Sequence, residues 1–185
     1  MSVNLESKPW VDVAIGLLTK DNKVCLSLRQ SHQHLADHWE FPGGKIEQDE
    51  SAQQALIREF KEELGVEASA WQPLITIPWH YEKVSVRLQV FQTDQFKGEP
   101  TGLEGQKVEW CPIVELANKY FPEANNGILM ALNLPDYYMS VGAYENEVDC
   151  LNRFQKSLES GVKLVQFKSK GLSEEVFVKL GNQLA

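Results

Sequence analysis

Apolar positions follow two periodicities along this chain, one typical of strands and one typical of helices. Residues 11–18 and 24–28 are largely apolar, and Asp21 and Asn22 between them favour a tight turn, so this segment predicts a β-hairpin. Residues 84–92 carry apolar side chains at every second position, as expected for a strand with one buried face. The same criteria predict strands at 74–78 and 108–111, a turn or helix beginning at 113–117, and a helix at 126–134.

One longer segment has the period of an amphipathic helix, and both of its ends are marked. Ser51 and Gln54 have the S-x-x-Q spacing of a capping box, which predicts a helix that begins near Ala52. Gly65 suits the position just past the last turn. The apolar face that such a helix could bury consists of Leu56, Ile57, Phe60 and Leu64.

The same helix carries three carboxylates on one face. Glu59, Glu62 and Glu63 stand at positions i, i+3 and i+4, so they repel one another and destabilise a bare helix. A divalent cation would reverse the sign of that interaction, and hard carboxylate oxygens suit Mg²⁺ or Mn²⁺. The pattern therefore predicts metal-assisted chemistry.

Strands and helices intermix along the chain, which indicates an α/β architecture of the α+β type with a mixed sheet. After Pro135 the pattern changes to β-α-β-α, with strand-like residues at 137–143 and 162–167 and helix-like residues at 145–159 and 173–184. A segment of about fifty residues buries little core alone. We therefore expect one domain at residues 1–134 and a β-α-β-α extension at 135–185.

Composition narrows the class of partner. The chain has 185 residues, 43% of them hydrophobic, and a formal net charge of −8, which argues against a nucleic-acid polymer or an anionic membrane but not against a free nucleotide. The cysteines, Cys25, Cys111 and Cys150, are odd in number and lack metal-ligand spacing, which favours reduced thiols. The N-terminus has no apolar signal core, so we expect a cytoplasmic protein. Composition indicates no oligomeric state.

The acidic helix and the loop before it resemble the Nudix box, G-x5-E-x7-R-E-U-x-E-E-x-G-U, in which U is apolar. The chain matches every fixed position of that motif, with Gly44, Glu50, Arg58, Glu59, Phe60, Glu62, Glu63, Gly65 and Val66. From about Val11 to about Leu134 the chain is also similar to the MutT-type 8-oxo-dGTP diphosphatases, most clearly at residues 39–47, 98–100, 104–106, 109–110 and 121–125. This resemblance implies the Nudix fold, a mixed sheet between helices.

The resemblance implies an enzyme that hydrolyses 8-oxo-dGTP and related purine nucleoside triphosphates to a nucleoside monophosphate and pyrophosphate. Such an enzyme sanitises the nucleotide pool and so serves DNA replication and repair. Two alternatives stay open: a Nudix pyrophosphohydrolase for another nucleoside diphosphate derivative or a thiamine-related pyrophosphate, and a non-catalytic domain that senses a nucleotide. A non-catalytic domain is expected to lose metal ligands, whereas this chain retains every matched glutamate.

The resemblance also implies roles for particular residues. The metal, Mg²⁺ with Mn²⁺ as a substitute, would be held by the backbone carbonyl of Gly43 and by the side chains of Glu59, Glu62, Glu63 and Glu104. Glu59 and Glu104 are both candidates for the general base. Arg58 is expected to pair with Glu50 and orient the catalytic glutamates, which is the alternative to a plain surface ion pair.

Substrate contacts are implied for Arg29, His34, Phe41 and Asn125. Arg29 and His34 fall where the family contacts phosphates, and the amide of Asn125 would read the oxidised base; a solvated loop or a turn is the competing interpretation of these residues. One position departs from the family, because the basic residue of its central hairpin aligns with Val84, and Lys83 or Arg87 could substitute for it.

Residues 161–173 resemble the opening units of the thiamine-phosphate-synthase barrel. That resemblance places Gln166, Lys168 and Lys170 at pyrophosphate-contacting positions, with Lys168 where arginine is more usual, but we interpret them as polar loop residues. A barrel of this kind needs eight β-α units. The segment is therefore expected to be either part of a longer barrel or a tail that packs on the first domain.

Overall fold

A computed structural model describes residues 8–31, 35–135, 137–142, 145–168 and 172–184. Within it the chain divides into two compact units, residues 1–132 and 133–185. No helix in the described ranges is both long enough and apolar enough to cross a membrane.

The first unit is built on a mixed sheet of seven described strands, which are β1 (Trp10–Lys20), β2 (Lys23–Leu28), β3 (Trp39–Glu40), β4 (Gly43–Lys45), β6 (Gln72–His80), β7 (Ser85–Thr93) and β9 (Val108–Pro112). A separate antiparallel pair is formed by β5 (Glu67–Ala68) and β8 (Phe96–Lys97). The strand order of the large sheet is β3-β2-β1-β7-β6, and β4 also pairs with β1 and β9 with β2. β1 and β7 are parallel, and the other pairs of this sheet are antiparallel. This arrangement confirms the predicted mixed sheet of an α+β fold.

The predicted hairpin between β1 and β2 is confirmed. Asp21 and Asn22 adopt φ angles of 50° and 58°, and positive φ at two successive central residues is the conformation that two-residue hairpin turns require. The predicted inward alternation in β7 is confirmed for the buried Leu88 and Val90, but the strand begins at Ser85, so Val84 lies outside it.

The sheet is covered on both faces, which explains the nearly continuous apolar run in β1. Ala14 and Leu18 pack into the core beneath helix α1 (Ala52–Leu64), whereas Ile15 and Leu17 pack into the core on the opposite face. That opposite core is closed by two 3₁₀ helices and by α2, with the bounds Ile113–Asn118, Glu123–Asn125 and Asn126–Asn133.

Helix α1 begins and ends where the sequence predicts. Ser51 and Gln54 form the capping box, since each side chain accepts a hydrogen bond from the other's backbone N–H, at 3.3 and 2.8 Å. Gly65 ends the helix in the left-handed conformation at φ 68°. The predicted apolar face is wrong at one position, because Ile57 is 47% exposed. Ile57 is one residue, and so about 100° around the helix, away from Leu56. The buried face consists instead of Ala52, Ala55, Leu56, Phe60 and Leu64.

The second unit has the predicted β-α-β-α order. Strands β10 (Met139–Val141) and β11 (Val165–Phe167) pair in parallel, and helices α3 (Glu147–Glu159) and α4 (Glu174–Leu184) follow them in turn. The Asn146 side chain caps α3 by accepting a 3.0 Å hydrogen bond from the N–H of Asp149. Gln166 and Lys168 lie at and just after β11, whereas Lys170 lies outside the described residues. The barrel resemblance stays a prediction.

Candidate active site

Two glycines let strand β4 pass close to its neighbours. A Cβ atom on Gly43, whose φ is 149°, would lie 2.2 Å from the backbone oxygen of Ala14 in β1. A Cβ atom on Gly44 would lie 1.9 Å from the Oε1 atom of Glu59 on α1. The bare backbone of β4 therefore forms the surface against which the Glu59 carboxylate rests.

Arg58 joins the loop before α1 to the helix itself. Its Nε and Nη2 atoms donate to both carboxylate oxygens of Glu50 at 3.0 and 2.9 Å, and Nη2 also donates to the backbone oxygen of Lys45 at 3.2 Å. Its Nη1 atom donates to Glu59 at 2.8 Å and more weakly to Glu62 at 3.5 Å. These hydrogen bonds, those to Glu50 first, raise the pKa of Arg58, and they hold the pKa of Glu50 below its ordinary value. The two-pronged geometry is the pairing with Glu50 that we expected.

Carboxylates converge around Glu63. Burial, and after it the charges of Glu59, Glu104, Glu40 and Glu62 in that order of size, together raise the pKa of Glu63 to about 8. The Glu59 side chain is only 14% exposed, whereas that of Glu62 is 61% exposed and lies at the edge of the group. The last turn of α1 therefore brings several acids together with little solvent to screen them.

A loop at residues 101–106 brings Glu104 to this site by binding the end of α1. The backbone N–H of Leu103 and the side-chain amide of Gln106 donate to the backbone oxygen of Glu63 at 2.9 and 3.1 Å. The Gln106 side chain also accepts from the N–H of Glu104 at 2.9 Å. A helix end leaves its last carbonyls without partners, and here the loop supplies the donors. Gln106 thus fixes Glu104 next to Glu63.

The residues present fit a divalent cation. Carboxylate oxygens and a backbone carbonyl are the ligands that Mg²⁺ and Mn²⁺ prefer, and the mutual repulsion around Glu63 is what a cation would remove. As the side chains stand, no three His, Cys, Asp or Glu residues in the described ranges are close enough to hold one ion. Glu59 binds the Arg58 guanidinium through its Oε1 atom.

Arg29 and Glu40 form an ion pair close to this group. Arg29 Nη1 donates to Glu40 Oε2, and the two side chains are only 24% and 27% exposed. Burial raises the pKa of Glu40, and the Arg29 charge opposes that rise. We expected Arg29 at the site, but sequence reasoning missed Glu40 and Gln106. Both lie inside segments that resemble the MutT-type enzymes, and this was the available signal.

The remaining predicted substrate contacts differ in accessibility. Asn125 ends the 3₁₀ helix Glu123–Asn125 and is only 7% exposed. Phe41 is 2% exposed and stacks on Phe121 with ring centroids 5.3 Å apart, so a contact between Phe41 and a substrate would need its backbone. His34 lies outside the described residues.

Arg87 does not substitute for the basic residue that the family has in its central hairpin. Its neighbour Leu88 faces the core that contains Ala124, next to Asn125. Arg87 itself lies 3.4 Å from the Asp12 carboxylate and 5.7 Å from the ring centroid of Trp10. Because successive strand residues face opposite sides, Arg87 is on the face away from Asn125. The expectation for Arg87 is wrong, and that for Lys83 stays a prediction.

Residues 8–132 match the model of the NUDIX domain, and the chain belongs to this family. It is 32% identical over 123 residues to the 8-oxo-dGTP diphosphatase of Escherichia coli (strain K12), covering 66% of this chain and 95% of that protein. It is 36% identical over 104 residues to the CTP pyrophosphohydrolase of the same organism, covering 55% and 75%.

Solved structures show the same likeness. The solution structure of the E. coli ORF135 protein has a TM-score of 0.62 and 31% identity, covering 70% of this chain and 92% of that one. A structure from work on MutT of Aliivibrio salmonicida and Vibrio cholerae has a TM-score of 0.59 and 30% identity, covering 66% and 96%. The family confirms the predicted class of enzyme, a Nudix hydrolase that acts on nucleotides with divalent metal ions.

Proposed function

We propose that this protein hydrolyses 8-oxo-dGTP and related purine nucleoside triphosphates to a nucleoside monophosphate and pyrophosphate. The observation that carries the proposal is the convergence of Glu59, Glu63 and Glu104 at the end of α1, on a chain similar to 8-oxo-dGTP diphosphatases over nearly their whole length. A cluster of carboxylates of this kind suits a substrate that brings both phosphates and metal ions.

We propose Mg²⁺ as the cation, with Mn²⁺ as a substitute. The side chains of Glu59, Glu62, Glu63 and Glu104 and the backbone carbonyl of Gly43 would hold it. When bound, such cations neutralise phosphate charge and make a water molecule more acidic.

The proposed reaction is attack by water on the β-phosphorus. A bond forms between the water oxygen and that phosphorus, the bond from phosphorus to the oxygen shared with the α-phosphate breaks, and the nucleoside monophosphate leaves. A carboxylate accepts the water proton, and Glu59 and Glu104 are both candidates. Arg58 keeps Glu59 directed across β4 through its 2.8 Å hydrogen bond, and Arg29 supplies positive charge for the phosphates.

Base selection is assigned to Asn125. Oxidation of guanine changes N7 from an acceptor to a donor and adds a carbonyl at C8. An amide offers both donors and an acceptor, and Asn125 is only 7% exposed. A buried amide whose partners come from the ligand rejects ligands that lack them.

A nucleotide panel tests this function directly. Pyrophosphate release with Mg²⁺ would be measured for 8-oxo-dGTP, dGTP, CTP and a thiamine-related pyrophosphate, with chelator in parallel. We expect the highest kcat/KM for 8-oxo-dGTP. CTP is the second candidate, because the relative at 36% identity is a CTP pyrophosphohydrolase. A preference for CTP would change the proposed substrate but not the proposed type of reaction. Absence of hydrolysis together with nucleotide binding would indicate a sensing domain.

We also propose that residues 1–134 form the hydrolase domain and that 135–185 form a separate β-α-β-α segment. The family match ends at residue 132, and α2 ends at Asn133.

A further inference from the structure

A lysine lies against the tryptophan that begins strand β3. The ammonium nitrogen of Lys119 is 4.2 Å from the ring centroid of Trp39, and it donates to a carboxylate oxygen of Glu109 in β9. The side chains of Lys119 and Glu109 are only 20% and 26% exposed. A cation that is partly removed from water interacts more strongly with an aromatic ring and a carboxylate than an exposed cation does. Lys119 therefore ties its own segment of the chain to β3 and β9.

The segment that follows Lys119 is attached at two more points. The backbone oxygen of Tyr120 accepts a 2.8 Å hydrogen bond from the N–H of Trp39. The ring of Phe121 stacks on that of Phe41, with ring centroids 5.3 Å apart. All of these contacts come just before the 3₁₀ helix that ends at the residue proposed to read the base.

The position of Asn125 depends on these attachments. Asn125 ends a 3₁₀ helix of only three residues, Glu123–Asn125, and so short a helix has little internal bonding to fix its place. Hydrogen bonds are directional, so an amide must be held in one place to distinguish two forms of a base. Helix α1 and its carboxylates cover the opposite face of the sheet, since Trp39 packs against the core that contains Ala124 and not the core beneath α1. Loosening the segment should therefore change base selection and leave the phosphate chemistry intact.

The ammonium group of Lys119 restrains the segment because it binds two elements at once. Moving residue 119 would break its contact with the Trp39 ring and its ion pair with Glu109 together. We infer that Lys119 is a positioning residue that holds residues 120–125 so that Asn125 meets the base in one orientation. This inference rests on the proposed function.

Lys107 supplies a matched comparison. Its ammonium nitrogen lies 5.1 Å from the centroid of the same Trp39 ring and 3.2 Å from the Glu109 carboxylate. Its side chain is 63% exposed, however, and it precedes β9 instead of leading to Asn125. Loss of the Lys107 charge should therefore leave base selection unchanged.

Steady-state kinetics with 8-oxo-dGTP and dGTP, in the presence of Mg²⁺, separate positioning from a merely structural role. Lys119→Met should raise KM for 8-oxo-dGTP about tenfold, with little change in kcat or in KM for dGTP, so the ratio of the two kcat/KM values should fall about tenfold. Lys107→Met should keep the ratio of the unaltered protein. Lys119→Arg keeps the positive charge and should recover part of the selectivity. Glu109→Gln, which should lower the ratio in the same direction, is the second variant if Lys119→Met does not fold.

A double-mutant cycle with Asn125→Ala tests whether Lys119 acts through Asn125. We expect Lys119→Met to have no further effect on the selectivity ratio once the Asn125 amide is removed. An unchanged ratio in Lys119→Met, an equal fall in Lys107→Met, or the same fall with and without Asn125 would overturn the inference alone. If the unaltered protein shows no preference for 8-oxo-dGTP over dGTP, the proposed function fails and the inference fails with it.

Discussion

At the scale of single residues, the site combines acids that repel one another with one arginine, Arg58, that binds two of them. Glu63 is surrounded by carboxylates and partly removed from water, whereas Glu59 and Glu50 are neutralised by Arg58. Active sites often keep such unfavourable charge because the ligand supplies the compensation. Stability and activity should therefore respond in opposite directions to changes at these acids.

The first prediction concerns Glu63→Gln in chelator-treated protein. The pKa of Glu63 is raised to about 8, above its ordinary value of 4.5, so the folded protein holds a proton that the unfolded chain releases. Stability should then fall as pH rises between these two values and level off above about pH 8. The unfolding free energy of Glu63→Gln, measured with urea, should not show this fall with pH, and adding Mg²⁺ should stabilise only the unaltered protein.

The same metal-site assignment predicts a loss of activity. Turnover of Glu62→Gln and Glu63→Gln should fall at least ~100-fold, which corresponds to about 2.7 kcal/mol of activation barrier. Near-normal turnover by both variants would refute the metal-site assignment.

The second prediction concerns the glycine pair. Gly44→Ala should lower turnover about 100-fold with little change in stability, because the new methyl group displaces only the flexible end of Glu59. Gly43→Ala should instead destabilise the fold by about 2–3 kcal/mol, since its methyl group meets the backbone of β1. Gly181→Ala is the control, because open space surrounds Gly181 in α4. Activity assays and thermal unfolding of the three variants check this, and full activity in Gly44→Ala would contradict it.

A third prediction is that Asn125 distinguishes oxidised from normal guanine. Asn125→Ala should raise KM for 8-oxo-dGTP much more than for dGTP, so the ratio of their kcat/KM values should shrink. Steady-state kinetics with both nucleotides measure this. Equal losses for the two nucleotides would show that Asn125 has a structural role.

At the scale of elements, the end of α1 and the loop at 101–106 act as one unit. The loop supplies hydrogen bonds to the last carbonyls of the helix, and through them the metal-site candidates Glu63 and Glu104 are held together. Glu63 and Glu104, which are far apart in sequence, are thus held by the same set of hydrogen bonds.

The fourth prediction tests that support. Gln106→Ala removes both side-chain hydrogen bonds of Gln106, to the Glu63 carbonyl and to the Glu104 N–H. It should cost about 1 kcal/mol of stability and lower turnover about tenfold. Gln95→Ala is the control, because the Gln95 side chain donates to the exposed carboxylate of the adjacent Asp94. If both variants behave alike in urea unfolding and turnover assays, the loop does not position Glu104.

At the scale of the whole molecule, the Nudix unit contains every residue that we assign to the reaction. The family match, the mixed sheet and both cores all lie before residue 133. The second unit is a parallel β-α-β-α segment with its own buried residues, Val141, Cys150 and Leu180.

The fifth prediction is that truncation after Leu134 preserves hydrolysis. The cut leaves α2 complete, so the core that it covers should stay closed. We expect a soluble protein with unchanged kcat and KM, assessed by size-exclusion chromatography and the nucleotide panel. Aggregation or weakened substrate binding would show that residues 135–185 belong to the Nudix unit.

Local signals in the sequence were sufficient for much of the fold. The capping box of Ser51 and Gln54, the glycine at position 65 and the hairpin at Asp21 and Asn22 act through neighbouring residues, so their effects can be predicted without tertiary contacts. The short strands β3, β4, β5 and β8 were not predicted. Two or three residues carry no readable period, and they become strands only because a longer strand lies beside them.

The sequence by itself determined the acidic face of α1 and the pairing of Arg58 with Glu50, because helical spacing and one short loop bring those groups together. Only the tertiary structure decided that Glu40 meets Arg29, that Gln106 holds Glu104 beside Glu63, and that Arg87 faces away from Asn125. Each of these depends on strand register or on the docking of a distant loop. A shift of one residue in register moves a side chain to the other face of the sheet, and no local pattern encodes that choice.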